Sequence, residues 1–175
     1  MAESAASGHH KAMAPPASSI RVALVTASDS RTPATNEGGH LLRRLVEEAG
    51  FVVVEEALLV EEPTAMRERV VSLVSAAVAD AVLITGGTGL APRDRTPEAI
   101  TPLFERRLPG FGELFRLLSF QQIGAAAMLS RAEAGVVGGV PVFLLPGSPA
   151  AIELAVRALI VPELPHLIGQ LRRAH

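Results

Sequence analysis

Short apolar runs alternate with amphipathic segments through the first half of the chain, and this alternation constrains the fold more than any other feature. Residues 20–28 (IRVALVTAS) are apolar and β-branched, which is typical of a strand that is buried on both faces. In residues 36–50 the apolar side chains fall at helical spacing, and Gly50 stands where a helix would end. The pattern predicts a strand followed by a helix.

The same pair of patterns then repeats. Residues 51–60 indicate a second strand, residues 63–79 open with a proline as many helices do, and residues 80–85 form a third apolar run. An order of β-α-β-α-β predicts a parallel sheet with right-handed crossovers and helices on both faces. We therefore expect an α/β fold with three layers, α/β/α, that is doubly wound.

The second half of the chain adds helices and a hairpin to this plan. Residues 97–104 and 110–123 are expected to be helical, and a final helical region begins at Ser148. Between them, residues 130–147 indicate two strands joined at Gly138-Gly139, a β-hairpin signal, so the sheet is expected to be mostly parallel. We assign residues 20–175 to a single domain, and the small, polar, proline-containing residues 1–19 to a disordered tail.

The composition argues against several classes of function. A formal net charge of −2 and an aromatic content of 3% do not suit a nucleic-acid-binding surface. The chain has no cysteine, and its only lysine, Lys11, lies in the predicted tail, so a lysine or cysteine nucleophile and a P-loop lysine are excluded from the folded part. Glycines and prolines interrupt the uncharged run 134–152, and no secretory signal is visible. We expect a cytoplasmic protein without membrane spans.

A glycine-rich loop follows the third predicted strand, in the sequence GGTG at Gly86 to Gly89. Glycines at this place allow positive φ, and successive N–H groups can form a nest for phosphate oxygens. The spacing matches neither a Walker A loop nor the dinucleotide fingerprint. On composition alone, a phosphate-binding loop and a plain structural turn remain nearly equal alternatives.

Asp94 favours the phosphate-binding alternative. The chain contains only three aspartates, against fifteen glutamates, and two of them, Asp29 and Asp94, follow predicted strands. A short carboxylate is suited to hold Mg²⁺ beside a nucleotide, because this ion takes one or two carboxylates plus phosphate oxygens. The alternative is a turn residue that caps a nearby backbone group.

Two predicted helix starts would lie near this loop. Thr96-Pro97 and Ser148-Pro149 both have an N-cap residue followed by proline, and the N-terminus of a helix attracts anions. Capping alone would also explain both. Arg93 and Arg95 could neutralise phosphates, or could be two solvated charges. Together these features suggest a pocket for a polyphosphate at one edge of the sheet.

Four segments, in this order and at these intervals, resemble the MoaB/MogA family of molybdenum cofactor biosynthesis: LITGGTGLAPRDRTPEAI, PGFGELFR, LSRAEAGV and LLPGSP. The resemblance covers residues 20 to about 171 and implies a MoaB/MogA-like molybdopterin-binding domain. Residues 110–136 are more similar to the MoaB branch than to the MogA branch.

The resemblance also implies an activity. Active members use Mg-ATP to adenylylate molybdopterin, which gives adenylyl-molybdopterin and pyrophosphate. Asp94 would correspond to an essential metal-binding aspartate, and Glu61 falls where a second family carboxylate, usually aspartate, is expected, so these two are the candidate catalytic residues and Mg²⁺ ligands. The implied nucleotide-binding residues are Ser28, Asp29, Gly86, Gly87, Thr88 and Gly89, and the implied pterin-binding residues are Ser130, Arg131, Gly147, Ser148 and Pro149.

Two functions remain open at this point: a Mg-ATP-dependent molybdopterin adenylyltransferase, and a non-catalytic molybdopterin-binding or assembly protein of the same family. Glu61 bears on the choice, because it is one methylene longer than aspartate and could displace the metal. The resemblance further implies a homo-oligomer, a trimer or a hexamer, formed through apolar helix faces such as residues 111–118. Other molybdenum cofactor biosynthesis proteins are possible partners.

Overall fold

The computed structural model describes residues 14–173. The strands are β1 (Arg21–Ala27), β2 (Val52–Leu59), β3 (Ala81–Thr85), β4 (Arg106–Arg107), β5 (Glu133–Val137) and β6 (Val140–Leu145). The α-helices are α1 (Glu37–Glu48), α2 (Pro63–Ser75), α3 (Thr96–Ile100), α4 (Pro109–Ile123), α5 (Pro149–Ala155) and α6 (Val161–Arg172). Short 3-10 segments occupy Ala17–Ser19, Pro33–Thr35, Thr101–Leu103 and Gly124–Leu129, and a π-helical turn, Val156–Ile160, joins α5 to α6.

The strands form one mixed sheet in the order β2-β1-β3-β6-β5-β4. β2, β1, β3 and β6 are parallel, whereas β5 and β4 are antiparallel to their neighbours. This confirms the predicted doubly wound, mostly parallel fold with a hairpin. The chain leaves β1 toward β2 and later returns to β3 on the other side of β1, so the strand order reverses between β1 and β3. Loops diverge at such a point and leave a crevice at the carboxyl ends of the strands.

Alternate residues of the buried strands supply two hydrophobic cores, one on each face of the sheet. Val22 and Leu24 of β1 belong to the core under α1, α4, α5 and α6. Ala23 and Val25 belong to the core under α2 and α3. All five residues of β3 are buried, as expected for a central parallel strand that is covered on both faces. The expected three layers are therefore present.

The hairpin between β5 and β6 turns at the predicted glycine pair. Gly138 and Gly139 have φ of 54° and 80°. Both values lie in the left-handed region that a two-residue hairpin turn with the right twist requires. The turn thus needs glycine for its backbone conformation.

Two features differ from the expectations. β4 is a two-residue edge strand at Arg106–Arg107, between two predicted helices, where the sequence predicts no element; the first of those helices, predicted over residues 97–104, is divided between α3 and the 3-10 turn Thr101–Leu103. The final helical region is also interrupted, by the π turn before α6. Pro162, in the first turn of α6, has no backbone N–H and therefore cannot donate a helical hydrogen bond to the preceding turn. The chain forms the wider π turn Val156–Ile160 just before it.

The predicted domain boundaries are not tested by the structure, because they lie at or near residues that it does not describe. Residues 1–13 of the predicted disordered tail lie outside the described residues, while residues 14–19 are described and include the turn Ala17–Ser19. The boundary at residue 20 and the single domain over 20–175 stay predictions. Within the described range, no helix is long and apolar enough to cross a membrane.

Candidate functional site

A cleft of about 480 Å³ lies at the carboxyl ends of β1, β3 and β6, where the strand order reverses. Ligands of open α/β sheets bind at this kind of crevice. Ten of the residues proposed from the sequence line it: Ser28, Glu61, Gly86, Gly87, Thr88, Gly89, Asp94, Ser130, Gly147 and Ser148. The fold thus brings the separate loops to one place.

The glycine turn after β3 has a conformation that excludes side chains. Gly86 and Gly87 have φ of 98° and 61°. A Cβ on Gly86 would lie 2.2 Å from the carbonyl oxygen of Ala27 in the neighbouring strand. A Cβ on Gly87 would lie 2.3 Å from the Thr96 Oγ1. Both glycines are therefore required for the close approach of this loop to its neighbours, whatever the cleft binds.

Thr96 at the start of α3 fixes the turn from behind. Its hydroxyl donates to the Gly86 carbonyl oxygen at 2.8 Å, and its backbone N–H donates to the Gly87 carbonyl oxygen at 2.9 Å. The Thr96 side chain is completely buried. The sequence indicates an N-cap residue here, but Thr96 is the first residue of α3, and its hydroxyl bonds the glycine turn instead of capping the helix.

Asp94 lies directly against the loop. One of its oxygens, Oδ2, accepts a hydrogen bond from the Ala91 N–H at 2.9 Å, which closes a small turn. A Cβ on Gly89 would be only 2.5 Å from the same oxygen. Gly89 thus makes room for the carboxylate, and Asp94 both closes a turn and lines the cleft. The capping and ligand-binding alternatives for Asp94 are compatible with each other.

Glu61, the second candidate ligand, has an unpaired oxygen. Its Oε2 is buried and has no hydrogen-bond partner among the described residues. Burial raises the pKa of the Glu61 carboxyl, and the charges of Asp94 and Asp29 raise it further against the opposing charge of Arg93. A buried carboxylate oxygen without a partner is costly, and a bound cation would satisfy it.

The two carboxylates fit a magnesium ion that takes its other oxygens from outside the protein. In residues 14–173 no group of three or more His, Cys, Asp or Glu side chains is arranged to hold a metal. Mg²⁺ commonly binds to one or two carboxylates and completes its shell with water and phosphate oxygens. Glu61 and Asp94 match that donor set, so water, or phosphate oxygens when a phosphorylated ligand is present, would supply the remaining oxygens.

Asp29 is close to these groups but faces another way. Its Oδ1 accepts a hydrogen bond from the Glu61 backbone N–H at 2.9 Å, and its Oδ2 lies 3.3 Å from a guanidinium nitrogen of Arg93. It is not among the residues that line the cleft. Its contacts join the loops after β1, β2 and β3, while its predicted nucleotide contact stays a prediction.

Arg131 and Pro149 also lie outside the lining, although Ser130 and Ser148 beside them are part of it. The Arg131 guanidinium donates to carbonyl oxygens of the loop between β3 and α3 and to the Glu98 carboxylate. Its donors are therefore turned toward the protein. Pterin binding by Arg131 and Pro149 stays a prediction from the resemblance.

The sequence did not indicate the apolar wall of the cleft. α4 and the 3-10 segment after it supply this wall through Phe115, Ile123, Ala126, Ala127 and Leu129, and Ser119 is a polar residue within it. Phe115 is buried, but Ile123 is 60% exposed and Leu129 is 55% exposed. The helical stripe of α4 was visible in the sequence, yet nothing local indicates that one end of the helix borders the glycine loop.

A second group missed from the sequence surrounds the start of α1. Asn36 caps this helix by accepting the Gly39 N–H at 3.0 Å, and its amide donates to the Thr26 hydroxyl at 3.0 Å. Thr26, Asn36 and Gly38 all line the cleft. An asparagine directly before the periodic residues is an N-cap signal that could have placed this helix end near the site.

The cleft therefore combines three chemical environments. Backbone N–H groups at the glycine turn and at the start of α1 favour an anion. Glu61 and Asp94 favour a cation beside it, and the α4 wall offers a surface for an apolar or flat ring. This combination suits a phosphorylated ligand that carries a ring system and is bound together with a divalent cation.

Comparisons with known proteins agree with this assignment. Residues 23–166 match the family model described as "Probable molybdopterin binding domain". The molybdenum cofactor biosynthesis protein B of Bacillus subtilis is 45% identical over 165 residues, which cover 94% of this chain and 96% of that protein.

Solved structures give the same result. A crystal structure of a molybdenum cofactor biosynthesis protein B superposes with a TM-score of 0.87 at 40% identity, over 91% of this chain and 99% of that one. A structure of MogA gives a TM-score of 0.77 at 27% identity, over 86% and 99%. The chain is thus more similar to the first of these two proteins than to the second.

Proposed function

The chain belongs to the MoaB/MogA family, on its MoaB side, and from this membership we propose that it acts in molybdenum cofactor biosynthesis as a Mg-ATP-dependent molybdopterin adenylyltransferase. In this reaction the terminal phosphate oxygen of molybdopterin attacks the α-phosphorus of ATP. A new P–O–P bond forms, the bond between the α-phosphorus and the bridging oxygen breaks, and pyrophosphate leaves.

The observation that carries this proposal is the pairing of Asp94 with the buried, unpaired carboxylate oxygen of Glu61 beside the Gly86–Gly89 turn. Asp94 and Glu61 would hold the Mg²⁺, which, when bound, supplies positive charge to the phosphates. The chain's own part is to bind and orient, because phosphoryl transfer depends on positioning and on neutralisation of charge more than on a protein nucleophile. The absence of lysine from residues 14–173 is compatible with such a reaction.

The remaining residues that line the cleft would contact the phosphates and the rings of the two substrates. The N–H groups of the glycine turn would bind phosphate oxygens, and the apolar wall around Phe115 and Ile123 would receive a ring of the nucleotide or the pterin. Ser130, Gly147 and Ser148 line the cleft and are proposed pterin contacts. We also propose a homo-oligomer, supported by exposed apolar side chains on α4 and after it, which include Leu117 and Phe120.

The experiment mixes the purified protein with Mg-ATP and molybdopterin and measures pyrophosphate. We expect release that requires all three components and that falls at least about a hundredfold in Asp94→Asn. Glu68→Gln, an exposed carboxylate in α2, is the matched control and should behave as the unaltered protein.

Two results would contradict the proposal. Molybdopterin binding without pyrophosphate release would favour the alternative, a non-catalytic molybdopterin-binding or assembly protein, for which the longer Glu61 is the supporting feature. Full activity of Asp94→Asn would remove Asp94 from the metal site.

A further inference from the structure

The Arg131 guanidinium donates hydrogen bonds to the loop between β3 and α3 and to α3 itself. Its Nε donates to the Thr88 carbonyl oxygen at 3.3 Å. One terminal nitrogen donates to the carbonyl oxygens of Gly89 at 2.5 Å and Asp94 at 2.6 Å, and the other donates to the Glu98 carboxylate. Four acceptors that lie 33 to 43 residues before Arg131 in the chain are thus held by one guanidinium.

The arginine lies behind the loop as seen from the cleft. Ser130, its neighbour in sequence, lines the cleft, whereas Arg131 does not. Its side chain is 26% exposed, and its ion pair with Glu98 in α3 anchors it to the helix that the loop leads into. The positive charge of Arg131 is therefore directed at the protein and away from a ligand.

The geometry of the peptide bond gives these contacts a consequence. In a trans peptide unit the C=O and the following N–H point in opposite directions. When Arg131 holds the Thr88 and Gly89 carbonyl oxygens, the N–H groups of Gly89 and Leu90 are turned away from it. For Gly89, which lines the cleft, this is the orientation that an anion-binding nest requires.

The same contacts constrain Asp94. Its carboxylate already bonds to the Ala91 N–H, and Arg131 holds its backbone carbonyl oxygen. Both ends of the residue are then fixed, and the carboxylate retains one oxygen, Oδ1, for which no hydrogen bond is formed in the turn. A planar guanidinium with donors in a rigid fork can hold several carbonyls at once, which the ammonium of lysine cannot do.

We propose that Arg131 is a positioning residue that sets the loop amides and the Asp94 carboxylate in their working orientation. This role rests on the proposed function only in so far as Asp94 is a metal ligand. It differs from a ligand contact, because Arg131 would act through the loop.

The test compares Arg131→Gln and Arg131→Lys with a matched control, Arg116→Gln. Arg116 also donates to a backbone carbonyl oxygen, that of Ala132 at 3.2 Å, but it has no contact with the loop. Amide hydrogen exchange is measured for peptides that cover residues 86–95, and binding of Mn²⁺ alone is measured by titration calorimetry.

We expect faster exchange in residues 86–95 and about a tenfold loss of Mn²⁺ affinity in Arg131→Gln, as for other residues that orient metal ligands. Arg131→Lys should recover only part of both, and Arg116→Gln should match the unaltered protein. If Arg131→Gln does not fold, Arg131→Lys serves for the same two measurements.

Unchanged exchange in the loop, or unchanged Mn²⁺ affinity in spite of faster exchange, would overturn the proposal, as would an unaltered protein that does not bind Mn²⁺. Neither readout involves turnover. If the unaltered protein binds Mn²⁺ but releases no pyrophosphate, the adenylyltransferase proposal fails while the role of Arg131 stands.

Discussion

Gly89 leaves room for the Asp94 carboxylate because glycine has no Cβ. The φ of Gly89 is not in the left-handed region, so alanine is compatible with the backbone, but its Cβ would stand 2.5 Å from the Asp94 Oδ2. In Gly89→Ala we expect the carboxylate to be displaced, with about a hundredfold loss of pyrophosphate release, because small misplacements cost this much.

Gly110→Ala is the control for this substitution. A Cβ at Gly110 meets no atom within 4 Å, so the rate should stay within about twofold of the unaltered protein. Both rates come from the same pyrophosphate assay. Normal activity of Gly89→Ala would show that the position of the Asp94 carboxylate does not limit the reaction.

Glu61 gives a prediction about pH and metal. Its pKa is raised in the folded protein, so the metal-free protein loses stability as pH rises above the usual range of a glutamate, about 4 to 5, toward the raised value. Glu61→Gln removes the ionised group beside Asp94 and Asp29. We expect the free energy of unfolding of this variant to exceed that of the unaltered protein by about 1 kcal/mol at pH 7 without Mg²⁺. At pH 4, where the Glu61 carboxyl is protonated, the two free energies should be equal.

Urea titrations with and without Mg²⁺ measure this effect. Millimolar Mg²⁺ should stabilise the unaltered protein and Glu68→Gln, but should leave Glu61→Gln unchanged. An equal Mg²⁺ effect in all three proteins would mean that the ion binds elsewhere.

Some residues of the site could be assigned to it from the sequence, and others only from the structure. Asp94 and the glycines belong to one continuous segment, so local chemistry is sufficient to group them. Arg131 contacts residues 33 to 43 positions away, and its donors could be assigned only when the fold had placed β5 beside the loop. Asp29 was grouped correctly with the post-strand loops, but its direction, toward Glu61 and Arg93, depends on tertiary contacts.

At the scale of elements, Asp80 ties the amino ends of two strands to the last helix. Burial alone would raise the pKa of its carboxyl, but hydrogen bonds from Arg21 and the charges of Arg21 and Arg172 outweigh it and hold the pKa below its usual value. Arg21 belongs to β1 and Arg172 to α6, and each approaches the carboxylate to 3.0 Å.

We expect Asp80→Asn to lower the free energy of unfolding by about 1–3 kcal/mol at neutral pH. A depressed pKa contributes stability that is present above the unfolded value and is lost as pH falls through the folded value. The difference between the two proteins should thus be constant from pH 5 to 7 and should shrink below about pH 4. Denaturant unfolding measured at several pH values checks this, and a difference that grows on acidification would contradict it.

The elements that the sequence predicts well are those whose signal is local and repeated. β1 and β3 are continuous apolar runs, α1 has apolar side chains at helical spacing, and all three lie close to the predicted bounds. β4 could not be predicted, because two arginines carry no periodicity and form a strand only by pairing with residues 135 and 136 of β5. The π turn before α6 likewise has no periodic signal, because the one local mark is Pro162 in the first turn of the next helix.

For the whole molecule, the exposed side of α4 is the feature that bears on assembly. The prediction from sequence named the face over residues 111–118, but Phe115 is buried in the protein's own core and Phe111 stacks on it. The side chains that face outward are Leu114 and Leu117 within that range, and Phe120 and Ile123 beyond it, each at least 50% exposed; Ile123 also borders the cleft.

We expect light scattering to show an oligomer at micromolar concentration, since an apolar patch of this kind commonly marks a contact surface. Phe120→Ser should shift the distribution toward monomer, because it removes a large apolar side chain from the centre of the row. Val71→Ser, which alters an exposed apolar residue on α2, is the control. A monomer in the unaltered protein would refute this prediction.

The two margins of the sheet also affect how copies of the molecule meet. β4 consists only of Arg106 and Arg107, both exposed. A strand from another molecule would therefore find few backbone N–H and C=O groups to pair with at this margin. At the other margin, the β2 glutamates Glu55 and Glu56 form ion pairs with Arg69 of α2 and Arg43 of α1. Short and charged margins resist strand addition, the step that begins fibre growth. Both margins of this sheet are thus poor templates for edge-to-edge pairing, so contact between copies is expected at the exposed apolar side chains of α4.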